Sequence, residues 1–192
     1  MQSAMAANDM SRTIPGHSAP TVGFEAPLEM LSACHGRIED KCATLRRLQA
    51  HLPTHGSDEE ARAAAAGLLR YFDLSAIQHH DDEEQDLFPA LLESMAGSDP
   101  VCLRELTVSL SAEHRELEGR WRRIRTVLER VVEGRSVPLG FDEVEAFASL
   151  YARHIQREEQ ELLPMAARLL GEEELGRVGR AMRERRGIAL IE

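Results

Sequence analysis

Apolar residues recur every three or four positions along most of the chain. Between Leu28 and about Leu52 they fall at Leu31, Ile38, Cys42, Leu45 and Leu48, one face of a helix that Pro53, Thr54, His55 and Gly56 bring to an end. Ser57 followed by Glu60 has the spacing of a capping box, and Asp58 to Met95 reads as a second, longer helix stopped at Gly97. Asp99 with Pro100 opens a third, which runs to about Glu133 before Gly134 and Pro138 break it. A fourth spans about Phe141 to Leu170. Beyond Gly171 a short fifth segment, Glu172 to about Arg186, carries Leu175, Val178 and Met182 on one side and five arginines elsewhere. It is expected to pack on the other helices, with recruitment of an acidic partner as the alternative use of its arginines. No stretch alternates apolar and polar residues with period two, so no sheet is expected. Four long helices joined by short loops imply an all-α, antiparallel up-down four-helix bundle over residues 27–171, with a helical extension over 172–192. Residues 1–26, with Pro15, Gly16, Pro20 and Gly23, have the composition of a disordered tail.

Composition narrows the possibilities. The 192 residues suit one domain with tails. With 23 Lys+Arg against 33 Asp+Glu, the formal charge of −10 opposes binding to nucleic acid or to anionic membrane surfaces. No apolar run approaches the roughly 18 residues of a membrane span, and no secretory signal is read at the N-terminus. Cys34, Cys42 and Cys102 are odd in number and form no CxxC pair, which suits a reducing cytoplasm and indicates neither a disulfide framework nor a cysteine zinc site. Lys41 is the single lysine, leaving little room for Schiff-base chemistry.

The informative feature is an internal repeat. Leu31-Ser-Ala-Cys-His35-Gly-Arg-Ile-Glu39 matches Leu110-Ser-Ala-Glu-His114-Arg-Glu-Leu-Glu118 with five identities in nine positions. His79-His-Asp-Asp-Glu83-Glu84-Gln85-Asp-Leu87-Phe-Pro89 matches His154-Ile-Gln-Arg-Glu158-Glu159-Gln160-Glu-Leu162-Leu-Pro164, where His, Glu, Glu, Gln, Leu and Pro are identical. Phe72 and Phe147 each precede the repeated His by seven residues, two turns up the same face. Each half is therefore one helical hairpin, and an approximate two-fold axis is expected to relate the two.

Spacing then gives chemistry. His79 and Glu83, like His154 and Glu158, are four apart and share one helical face. The first and third helices add His35 and His114. Four imidazoles and two carboxylates turned into the bundle would be costly to bury without a cation. A nitrogen and oxygen donor set without thiolate favours iron or manganese over structural zinc, and six protein ligands suit two ions bridged by the two glutamates better than one ion.

A lone His on the first helix, His-x-x-x-Glu on the second, a lone His on the third and His-x-x-x-Glu on the fourth resembles the hemerythrin-like HHE cation-binding family over about Leu28 to Leu170. The resemblance implies a non-haem di-iron site, two iron ions with an oxo or hydroxo bridge. His35 and His79 would bind one iron, His114 and His154 the other, and Glu83 and Glu158 would bridge them. It also implies a small-molecule partner, dioxygen, nitric oxide or peroxide, that is bound or sensed at an open iron position. Alternatives are a di-iron redox enzyme or repair protein in nitrosative or oxidative stress defence, and iron storage or delivery. Oxygen-carrying members place a second histidine one turn along the third helix and end in His-x-x-x-x-Asp; Glu118 and the four-residue step to Glu158 depart from both. The chain is more similar to the four-His, two-Glu members, some of them associated with repair of damaged iron centres. Those carry a cysteine-bearing N-terminal domain, whereas residues 1–26 contain no cysteine.

Other candidates have plainer readings. His80 and Glu84 repeat the four-residue step one position along, but Ile155 faces His80 in the repeat, which favours His79 and Glu83 as the ligands. Glu39 and Glu118 sit one turn after a histidine and either orient metal ligands or form surface salt bridges. His17, His51 and His55 are expected at the surface or at helix ends, Trp121 and Tyr151 in the core or at its rim, and Cys34 and Cys42 in packing. Pro89 and Pro164 are expected to kink their helices just beyond the ligands. Glu-x-x-His, His-Glu-x-x-His and a Gly-rich phosphate loop are all missing.

Overall fold

A computed structural model describes residues 23–95 and 101–188. The described residues are helical, without strands. The first helix is Pro27–His55. The second is one continuous rod, Glu59–Arg70, Ala76–Asp82 and Phe88–Ser94 joined by π-turns at Tyr71–Ser75 and Glu83–Leu87. The third is Val101–Val132. The fourth comprises Phe141–Arg157, a π-turn at Glu158–Leu162, and Leu163–Leu169. The fifth is Glu172–Arg185. The first and third helices each pack against both the second and the fourth, so the first four close a ring of neighbours, the all-α bundle that the apolar periodicity predicts.

Helix ends correct the sequence reading in detail. The first helix runs through Pro53 to His55, and Gly56, at φ +64°, ends it by donating its N–H to Leu52 O at 2.9 Å. The cap of the second helix is Asp58 rather than Ser57. Its Oδ1 accepts from the Ala61 N–H at 2.8 Å, while Ser57 Oγ donates to Arg135 O at 2.6 Å in the neighbouring loop. Asp99, Pro100 and His17 lie outside the described residues, as do residues 1–22 of the expected tail. Residues 23–26 are described and lie against the fifth helix. Phe24 O comes 2.0 Å from where a Cβ would stand on Gly179, so only glycine admits this approach. Arg183 then reaches Glu25 Oε1 at 2.5 Å and covers the Phe24 ring.

Instead of plain proline kinks, both Glu-Glu-Gln segments open into π-turns just before Pro89 and Pro164. Proline has no N–H, and its ring crowds the carbonyl four residues back. A wider turn precedes each proline: the Phe88 N–H bonds Glu83 O and the Leu163 N–H bonds Glu158 O, five residues back in each case.

The apolar interior is split in two. One cluster gathers Ile38 to Leu52 of the first helix with Leu68, Phe72, Trp121, Ile124 and Phe147. The other gathers Leu31, Leu87, Leu91, Leu110, Leu162 and the fifth helix's Val178 and Met182. In each long helix the histidine or His-Glu pair falls between these clusters, so a polar layer crosses the bundle between two dry ones. The fifth helix covers one end, as its Leu175, Val178 and Met182 stripe predicts.

Candidate metal centre

All six residues singled out by the repeat meet in that polar layer. His35 is 2% exposed, and His79, Glu83, His114, His154 and Glu158 are at most 1% exposed. Two groups of four have ligand atoms within 4.8 Å of one another: His35, His79, Glu83 and Glu158, and His114, His154, Glu83 and Glu158. Both glutamates belong to both groups.

The atom pairing is specific. Glu83 turns Oε1 toward the first histidine pair, 3.4 Å from His79 Nε2 and 3.9 Å from His35 Nε2, and Oε2 toward His114 Nε2 at 3.3 Å. Glu158 turns Oε2 toward His35 Nε2 at 3.1 Å and Oε1 toward His154 Nε2 at 2.9 Å and His114 Nε2 at 3.9 Å. Metal bonds of about 2.0–2.2 Å separate neighbouring ligand atoms by about 3–3.5 Å, which four of these six spacings approach. They are poor as hydrogen bonds. None of the four carboxylate oxygens, nor His35 Nε2 or His79 Nε2, has a partner of hydrogen-bond geometry, although each is buried. Orphaned buried groups are expensive, and a cation at each focus would satisfy them together.

Three of the four outer ring nitrogens are held by carboxylates, while His79 Nδ1 is buried without a hydrogen-bond partner. His35 Nδ1 donates to Glu159 Oε1 at 2.6 Å, His114 Nδ1 to Glu84 Oε1 at 2.6 Å, and His154 Nδ1 to Glu113 Oε2 at 2.8 Å. Each bond leaves the Nε2 lone pair aimed into the layer. Arg115 in turn bonds Glu84, and Arg157 bonds Glu113. Sequence reasoning weighs Glu84 only as an alternative partner of His80, does not single out Glu113 or Glu159, and considers Glu39 and Glu118 for this role instead. Glu39 is exposed, and Glu118 forms a surface pair with Arg115 at 2.8 Å. A signal for Glu84 and Glu159 was present, since they match each other in the repeat. Glu113 has Cys34 at its equivalent position and carries no such signal.

Electrostatics follow the geometry. Burial disfavours charge on His35 and His114, but the Glu158 and Glu83 carboxylates outweigh it and raise them to about 11 and about 10. His154 is raised by the same carboxylates against the same burial. His79 is pushed down to about 4, chiefly by burial. Burial works to raise Glu83 and Glu158; the imidazoles around them prevail, leaving both below the usual carboxylate range.

Two carboxylates shared between two buried imidazole pairs form a donor set that could hold metal. Residues 26–166 match the hemerythrin HHE cation binding domain. The chain belongs to the hemerythrin HHE family. It is also 32% identical over 165 residues to an uncharacterized protein of Haemophilus influenzae, covering 86% of this chain and 92% of that one. For this hemerythrin-family domain the His/Glu cluster is thus a place that can hold metal.

The remaining candidates fall as plainer readings predict. Trp121 is buried and donates Nε1–H to Asp73 at 2.8 Å, and Tyr151 is buried against Phe147 and Phe72. His51 stacks on His55 at 4.2 Å and pairs with Asp58 at 3.0 Å. Cys34 and Cys42 are buried, the Cys42 thiol pushed up to about 12 by burial, and Cys102 is exposed. Among the described residues no helix is long and apolar enough to cross a membrane.

Proposed function

We propose that this domain binds two iron ions and uses them to bind or sense a small oxidant: dioxygen, nitric oxide or peroxide. His35 and His79 would hold one ion, His114 and His154 the other, and Glu83 and Glu158 would bridge them. One observation carries the reading: each glutamate offers one oxygen to each histidine pair. Imidazole and carboxylate without thiolate suit iron, and iron supplies affinity for diatomic and peroxide ligands. The protein's own part is to fix the six donors, to set the histidine tautomers through Glu84, Glu113 and Glu159, and to keep bulk water out with apolar layers above and below.

Anaerobic iron-loaded protein, titrated separately with nitric oxide, dioxygen and peroxide while its visible spectrum is recorded, tests this. A saturable spectral change with at least one of the three, lost in His35→Ala and His114→Ala, is expected. A spectrum unmoved by all three overturns the ligand-binding part of the reading.

A further inference from the structure

Beside the cluster, a cavity of about 360 Å³ opens among residues of the second, third and fourth helices. Its inner wall consists of the buried side chains of Phe72, Ala76, His80, Leu117, Trp121 and Tyr151. The Phe72 ring lies 4.7 Å from Trp121 and 5.8 Å from Tyr151, so three aromatic rings stand together at this wall. The rim is formed by exposed Ile77 and Arg122 and by half-buried Asp73, Glu118 and Arg125. Protein interiors leave few voids larger than a water molecule, and this hollow has the size and apolar lining of a small-molecule pocket.

The charges at the rim select the kind of molecule. Asp73 accepts from Trp121 Nε1 at 2.8 Å and pairs with Arg125 at 3.0 Å. Arg125 also pairs with Glu129 at 2.7 Å, and Glu118 pairs with Arg115 at 2.8 Å. Arg122 alone of these rim charges has no ion-pair partner among the described residues. An apolar, aromatic interior with one unpaired guanidinium at its mouth complements a flat ring that carries an anionic group.

We infer that this cavity binds an aromatic carboxylic acid, with its ring against Phe72, Trp121 and Tyr151 and its carboxylate at Arg122. The site goes beyond the metal reading and does not depend on it. It adjoins the cluster all the same, because His80 in the cavity wall stacks on His114 with centroids 3.9 Å apart.

Trp121 is the only tryptophan of the chain and lines the cavity, so its fluorescence reports directly on occupancy. The test titrates the full-length protein with 3-phenylpropionate and, separately, with its uncharged amide, exciting tryptophan where neither probe absorbs. A saturable change with the acid is expected, and weaker binding of the amide. Ala76→Leu, which fills the cavity, should abolish the change. Arg122→Ala should weaken the acid roughly two- to fivefold and leave the amide unaffected. Arg122 is exposed, so its variant decides the matter even where Ala76→Leu folds poorly. No saturable change in wild type, or one that persists in folded Ala76→Leu, would overturn the site. Equal affinity for acid and amide in wild type would overturn the choice of an anionic ligand.

Discussion

Glu159 of the fourth helix holds His35 of the first, its Oε1 2.6 Å from Nδ1. The repeat returns the contact in the other direction, from Glu84 to His114, so each hairpin orients a histidine of the other. With the Nδ1 proton held, Nε2 of each ring faces the Glu83 and Glu158 oxygens. Glu159→Ala should therefore weaken metal binding by on the order of 10–100-fold while the helical content and melting of the protein change little, since Glu159 is partly exposed. Competition with a chelator of known affinity measures this; unchanged affinity would mean that the contact orients nothing.

Asp82 is fully buried beside Glu83 and is shared by Arg185 at 2.5 Å and Arg186 at 2.6 Å. Burial works to raise the carboxyl and the two guanidiniums work to keep it ionised, burial having the larger effect. Replacing both arginines by alanine leaves that carboxyl without a charged partner. The predicted loss is about 3–5 kcal/mol in denaturant unfolding, largely recovered when Asp82→Leu is added. A loss below about 1 kcal/mol would show that the ion pairs to Asp82 contribute little to stability.

Phe147 is fully buried and lies edge-on to Phe72 and Tyr151 beneath the polar layer. Truncation to alanine should cost roughly 3–5 kcal/mol of stability. The folded fraction of that variant should still bind metal, because no donor of the cluster is removed. Urea titration and metal content of the soluble protein check the two halves of this statement.

Protein stripped by a chelator should show a defined pH profile. His35 and His114 titrate at about 11 and about 10 when folded, against roughly 6.5 when unfolded. Between those values the folded state binds more protons, so stability falls as pH rises from about 6.5 through about 10. His79, held near 4, acts in the opposite sense and contributes stability that is lost as pH falls from about 6.5 through about 4. The melting temperature should therefore peak near pH 6.5, and uptake of metal near neutral pH should release protons from His35 and His114. A melting temperature that climbs from pH 7 to 10 would contradict these assignments.

The six residues that converge at the centre of the bundle were legible in the sequence because the repeat duplicates both their identity and the four-residue step of each His-Glu pair. The bundle was legible because apolar residues keep helical period on either side of each histidine. What escaped depends on local geometry that periodicity does not encode. At the π-turn over Glu83–Leu87, Glu83 lies in the cluster while its neighbour Glu84 reaches His114 Nδ1. The prolines at 89 and 164 signalled a disturbance but not its form. Glu113 escaped for the opposite reason: Cys34 occupies its repeat position, so symmetry argued against it. The pairing of Asp82 with Arg185 and Arg186 joins residues about a hundred positions apart, which no local pattern reveals.

The central claim is that Glu83 and Glu158 each bind both ions. Metal analysis of protein from iron-supplemented culture, beside Glu83→Ala and Glu158→Ala, tests it most directly. The account predicts two irons per chain in the wild type and loss of both ions, or retention at most of one weakly held ion, in each variant, with helical content preserved. One zinc per chain, or two irons that survive either substitution, would contradict it.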